Sequence, residues 1–299
     1  MTEMVLRSKM KRTGQTAAAE TDLRAETDVK VSLISKIAYG MGDVGCNFSW
    51  MFVGNFLMIF YTDVFGISMG AVAGLMLFSR FWDAVNDPII GSLTDRTHSR
   101  WGRYRPWLLV AAPLTAVVLV LTFWAHPGWN STAKIVYMGI TYCILVLGYT
   151  CVNIPYGTLC GAMTQNIEER AQINTFRSVA AMIAIGIINI ITVPLIETLG
   201  AGSDKRGYLL IAVIYGGIFA LCHMFCFAKT REVVAIPERK KISLKEQLRA
   251  VSRNRPYILA LAGQMLFGLR CTGGTRMHYT ILPMWRAIRR SLPCIPCAL

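Results

Sequence analysis

Four polar residues close together, Arg80, Asp83, Asn86 and Asp87 in RFWDAVNDP, carry the strongest chemical signal in the chain. They sit inside the second of a series of long apolar runs. An ionisable side chain at the centre of a spanning helix costs roughly 2.5–3.5 kcal/mol on insertion scales, so this clustering requires a function that offsets it. On a helix, Arg80 and Asp83 are i,i+3 and Asp83 and Asp87 are i,i+4, so all three share a face. Two carboxylates and one guanidinium leave a net charge of −1, which one monovalent cation would neutralise. Carboxylate oxygens of Asp83 and Asp87, with the amide of Asn86 between them, suit a hard cation held by oxygen ligands. Sodium fits, lithium shares its chemistry, and a proton fits because neighbouring buried carboxylates raise each other's proton affinity. The competing reading is a structural ion pair with Arg80. It accounts for one carboxylate and leaves the other uncompensated.

Other polar groups recur at membrane depth. The first apolar run holds Tyr39, Gly40, Gly42, Asp43 and Asn47, with Asp43 and Asn47 on one helical face. Asp43 joins Arg80 as a candidate charge partner. The fourth run ends in CVNIPYG, with Asn153, Pro155 and Tyr156, and Arg177 opens the fifth. A proline there loosens the backbone where a cavity can satisfy the freed groups. Amides, an arginine and an aromatic ring converging on a cavity suit a polyhydroxyl ligand, so Asn47, Asn153, Tyr156 and Arg177 are the candidate sugar contacts. Interhelical hydrogen bonding is the alternative for each. The joint GSLTDRTHSRWGRYRP contains one acid, Asp95, among arginines that include Arg96 and Arg100. These three residues are a candidate cytoplasmic latch.

The elements that must position these groups follow from composition. The chain has 299 residues, of which 54% are hydrophobic and only 16% charged; its mean hydropathy is +0.44. A soluble domain carries about 25% charged residues. Apolar segments at roughly 37–61, 67–94, 107–125, 134–160, 176–199 and 207–228 are long enough to span, which takes roughly 20 residues. A seventh, 256–269, is too short. Lys and Arg alternate between the joints: twenty-one fall in the arm 1–36, the second and fourth joints and the segment 229–255, against three in the others. That bias places the N-terminus and residues 229–255 in the cytoplasm. It also explains the net charge of +14 without nucleic acid, for which no reader motif is present.

The expected organisation is an all-α membrane protein. A disordered cytoplasmic arm (1–36) precedes a six-helix bundle (37–228), a basic linker (229–255), the start of a seventh helix (256–269) and an aberrant tail (270–299). The tail carries five arginines and no acid, and is read as a frameshift or premature end within the seventh helix. Pro106 is expected at the start of the third helix, and Gly66, Gly70 and Gly74 are expected to let a neighbouring helix approach closely. Six of the nine cysteines lie in apolar runs and are read as packed, free thiols. No nucleophile–base pair, phosphate loop or metal-ligand cluster points to an enzyme, and no cofactor is expected.

The strings YGMGDVGCNFSW, FLMIFYTDVFGIS, RFWDAVNDPIIGSLTDRTHSRWGRYRPWL, CVNIPYGTL and ERAQINTFR resemble the glycoside–pentoside–hexuronide:cation symporter family of the major facilitator superfamily, which includes the melibiose and xyloside permeases. The resemblance covers about residues 37–269. It implies that Asp83 and Asp87 are cation-site carboxylates, that Asp95, Arg96 and Arg100 belong to the cytoplasmic loop motif of the wider superfamily, and that Arg177 is a sugar-site arginine. Asn47 and Asn153 fall where melibiose permease has sugar-gripping carboxylates, and Gly157 where it has an aromatic stacker. A pentoside, glucuronide or other glycoside therefore fits better than melibiose. Family members have twelve spans with the sugar between two six-helix bundles. The chain is thus expected to lack a C-terminal six-helix half and not to transport alone. The alternative is a non-transporting membrane fragment or a sensing or binding protein.

Overall fold

The computed structural model describes residues 30–126 and 128–234, with 254, 258, 259, 262 and 263 in addition. Among them are six long helices: α1 (Leu33–Ile59), α2 (Met69–Asp95), α3 (Arg105–Thr122), α4 (Ser131–Met163), α5 (Ile167–Gly200) and α6 (Asp204–Lys229). A π-helical turn, Phe60–Val64, continues α1. The described residues contain no strand.

Local chemistry sets the helix ends. Ser32 caps α1 by accepting from Ser35 N–H at 3.2 Å, Asn130 caps α4 through Ala133 N–H at 2.8 Å, and Asn166 caps α5 through Glu168 N–H at 2.8 Å. Glu168 and Glu169 in the first turn of α5 favour the same end electrostatically. Pro106 occupies the first turn of α3, as its fixed φ allows. Of the arm expected over 1–36, residues 1–29 lie outside the described residues, while Ser32 caps a helix and Lys36 is buried in the bundle. α5 begins nine residues before the apolar segment expected at 176, about 13 Å of extra helix. Of the expected linker only 229–234 and 254 are described; most of the seventh segment and the tail lie outside the described residues. In the smaller unit, 237–299, residues 258, 259, 262 and 263 are helical, and Ile258 N–H donates to Asn254.

In the larger unit α1 is central, packing on α5 and α6; α3 packs on α6 and α4, and α2 on α4. Two clusters of rings fill the interior. In one, Phe52 stacks on Phe123 at 4.3 Å and meets Tyr215 edge-on at 5.4 Å. In the other, Tyr39 stacks on Tyr156 at 4.6 Å. Five of the six helices are long and apolar enough to cross a membrane. The exception is α2, the helix that carries Arg80, Asp83 and Asp87.

Among the described residues the spacing of Gly66, Gly70 and Gly74 does not produce a close helix contact. A Cβ at Gly70 or Gly74 would meet nothing within 4 Å, and Gly66 is a turn residue with φ +74°. The close approach lies elsewhere. Gly207 of α6 abuts the Ile196 carbonyl of α5, and Gly200 faces Gly207. A methyl group at 207 would collide with main chain that cannot rotate away. Gly207→Ala is therefore expected to destabilise the bundle by about 1–3 kcal/mol, read as a lower unfolding midpoint in detergent, with Gly70→Ala as the neutral control.

Candidate functional site

Asp83 stands fourteen residues from the start of α2 and twelve from its end, near the middle of a helix about 40 Å long. Asp83 is half-buried and Asp87 exposed, while Asn86 between them is buried. Thr150 of α4 donates to Asp87 Oδ1 at 3.3 Å. The Asn86 amide nitrogen is buried without a hydrogen-bond partner, an arrangement that native interiors seldom leave. A half-turn of that amide would present its carbonyl oxygen instead. The ion pair of the competing reading is not formed: among the described residues none joins Arg80 to Asp83 or Asp87. Arg80 is exposed, as a long charged side chain on apolar surface tends to be. Among the described residues neither carboxylate is thus held in a direct ion pair. Trp82 anchors this turn to α4 by donating to the Cys143 carbonyl at 3.1 Å.

A second polar group joins α1, α4 and α5. Arg177 Nε donates to Asp43 Oδ1 at 3.0 Å, so the charge that Asp43 partners is Arg177. Asn47 Nδ2 donates to the Asp43 carbonyl at 2.8 Å and lies 3.4 Å from Oδ2. Asp43 is 8% exposed, whereas Asn47 and Arg177 are half-buried and Asn153 is exposed. Arg177 also lies over the Tyr156 ring at 5.5 Å.

Tyr156 departs from the expected role of sugar contact. It has no exposed surface, and both ends of its stack are tied: its hydroxyl donates to the Tyr39 carbonyl at 2.6 Å, and the Tyr39 hydroxyl donates to the Tyr156 carbonyl at 3.2 Å. Gly42 makes room for the ring, since a Cβ there would come within 2.5 Å of Tyr156 Cε2. Tyr156 therefore positions Arg177 from beneath.

The latch expected in the loop between α2 and α3 does not form as an ion pair. Among the described residues Asp95 makes no ion pair with Arg96 or Arg100; the Tyr104 hydroxyl lies 3.5 Å from its Oδ1. Burial first, and then the Asp95 carboxylate, raise the Tyr104 phenol above its usual pKa, which keeps that hydroxyl a donor. Arg100 stacks over Trp101 at 4.6 Å. The acid that organises this loop is Glu232, which sequence reading counted only as part of a basic segment. It accepts from the N–H groups of Arg103, Tyr104 and Arg105 at 2.8, 2.8 and 2.9 Å. Thr150 was also missed, because one threonine in an apolar run carries no local signal. A buried Cys46–His223 contact at 3.5 Å, with His223 Nδ1 2.8 Å from the Phe219 carbonyl, is a further polar link inside the bundle. Among the described residues no group of three or more His, Cys, Asp or Glu side chains forms a metal-binding cluster.

Residues 38–279 match the family model described as MFS/sugar transport protein. Among curated proteins the chain is 34% identical over 284 residues to the uncharacterized symporter YnaJ of Bacillus subtilis, covering 91% of the chain and 61% of that protein. It is 35% identical over 238 residues to the isoprimeverose transporter of Lactiplantibacillus pentosus, covering 78% and 49%. It is 33% identical over 233 residues to the glucuronide carrier protein homolog of Escherichia coli, covering 77% and 50%. The chain thus spans about half to three-fifths of the length of these relatives.

Proposed function

The chain belongs to the MFS/sugar transport protein family, and from that premise we propose that it supplies the cation site and one wall of the sugar site of a symporter driven by sodium or protons. It is an integral membrane protein, and as a member of a transporter family it is not an enzyme. The observation that supports the cation role is the pair Asp83 and Asp87 midway along α2, with no ion-pair partner among the described residues and a buried unpaired amide between them. Such a cluster is stabilised when a small positive ion arrives, so ion binding and the conformation of α2 are linked. Asn47, Asn153 and Arg177 supply the sugar wall, with Asp43 and Tyr156 fixing Arg177 in place. A second six-helix bundle completes the sugar site. The bundle lies in the inner membrane with its N-terminus and the segment after α6 on the cytoplasmic side, in keeping with the distribution of Lys and Arg.

Radioactive sodium binding to the purified chain in detergent tests the proposal, because both carboxylates lie in this chain. One sodium ion per chain, displaced by protons as the pH falls, is the expected result. A chain that takes up neither sodium nor protons at this site would overturn the reading. Vesicles containing the chain alone are expected to accumulate no labelled glycoside; accumulation driven by a sodium gradient would disprove the need for a second bundle.

A further inference from the structure

The exit of α6 and the entrance of α3 hold each other by reciprocal capping. Glu232, three residues past the end of α6, places both carboxylate oxygens on the N–H groups of Arg103, Tyr104 and Arg105. The N-terminus of a helix leaves donors such as those of Tyr104 and Arg105 without partners and carries the positive end of its dipole, so a carboxylate is the matching ligand. Arg105, the first residue of α3, returns the bond: its Nε and Nη2 donate to the Phe227 carbonyl of α6 at 3.2 and 2.7 Å. Val233 and Val234 then donate to the Ala162 carbonyl of α4, both at 3.0 Å. Gly102 makes the approach possible. It has φ +106°, and a Cβ there would lie 2.5 Å from the Glu232 carboxylate. The loop so gripped leads from Asp95 at the end of α2 to α3 and bears Arg96 and Arg100.

We infer that Glu232 is a positioning residue: it clasps the segment leaving α6 to the first turn of α3 and thereby fixes the loop that carries the cytoplasmic latch. The consequence for gating rests on the transport reading above. The clasp itself does not, and it can be measured without transport.

Hydrogen–deuterium exchange of the full chain in detergent provides the test. Glu232→Ala is expected to raise exchange in the peptide covering 100–106 about tenfold or more, as loss of charge-assisted bonds to amides requires. Peptides inside α1 and α5 should be unchanged. Glu232→Gln keeps an acceptor oxygen without the charge, so it should restore part of the protection. Gly102→Ala, which blocks the carboxylate from the other side, should reproduce the Glu232→Ala pattern. It serves as the second variant if Glu232→Ala does not fold. Unchanged exchange over 100–106 in both variants would show that no clasp forms. A uniform rise through α1, α5 and α6 would make Glu232 an ordinary stability residue. Either result overturns the inference, and neither bears on sodium binding at Asp83 and Asp87.

Discussion

Replacing Asp87 by asparagine is expected to weaken sodium binding to the purified chain by at least about a hundredfold. A unit charge 4 Å from another gains about 4 kcal/mol at an effective dielectric constant of 20, and each 1.4 kcal/mol is a factor of ten. Partial rehydration of the vacated site takes back some of that, leaving about two decades. Asp83→Asn should lose a similar amount. The discriminating variant is Arg80→Ala. If the acids await a cation, removing the nearby positive side chain raises the negative potential and tightens sodium binding a few-fold. If the cluster were a structural ion pair, Arg80→Ala would destabilise the protein and bind sodium no better. Equilibrium binding and unfolding midpoints on the same three variants separate the two outcomes.

The second large effect belongs to the pair formed by Asp43 and Arg177. Breaking a fully buried ion pair by removing one partner costs about 3–5 kcal/mol. Here the Arg177 side chain is 36% exposed and that of Asp43 12%, so solvent relieves part of the penalty. Asp43→Ala is expected to lower stability by about 1–3 kcal/mol. The double variant Asp43→Ala with Arg177→Ala should fall short of the sum of the single losses by about 1 kcal/mol or more, because the stranded charge is then gone. Denaturant titration of the four proteins in one detergent measures this, and strict additivity would show that the two residues are energetically independent. Under the transport proposal Asp43→Asn also changes the charge of the sugar wall from neutral to positive. Selectivity should then move from neutral glycosides toward hexuronides, read by competition between the two in a sugar-binding assay of the whole transporter.

The parts of the molecule that were legible in the sequence are those written in local spacing. The helices follow the apolar segments, Pro106 opens α3, and the polar face of α2 carries Asp83 and Asp87 as helical periodicity requires. What was not legible lies across long separations. Arg177 meets Asp43 134 residues away, and Arg103 meets Glu232 129 residues away; no periodicity encodes either. Tyr156 misled for a related reason. Its position in CVNIPYG resembles that of a ligand contact, but only the three-dimensional neighbourhood, with Gly42 hollowed out to receive the ring and Tyr39 stacked upon it, shows that its face is already taken. The glycine repeat in α2 failed because small residues permit a close crossing without specifying a partner. The crossing formed instead at Gly200 and Gly207, where main chain meets main chain.

The tethers at one end of the bundle are unevenly shared. Lys36 of α1 pairs with Glu169 of α5 at 2.8 Å, Ser35 donates to the Lys229 carbonyl of α6 at 2.8 Å, and Arg170 donates to the Thr164 carbonyl at the end of α4, also at 2.8 Å. With the bonds of Glu232 and Arg105, these lash α1, α3, α4, α5 and α6 into a truss. The helix bearing Asp83 and Asp87 is hung differently, burying only Val72, Ser79, Asn86, Ile90 and Thr94 along a single stripe. A sparsely buried member of a braced structure is where compliance collects. Under the cation-site proposal, an ion taken up by those two acids is therefore expected to displace one strut and leave the rest of the scaffold in shape.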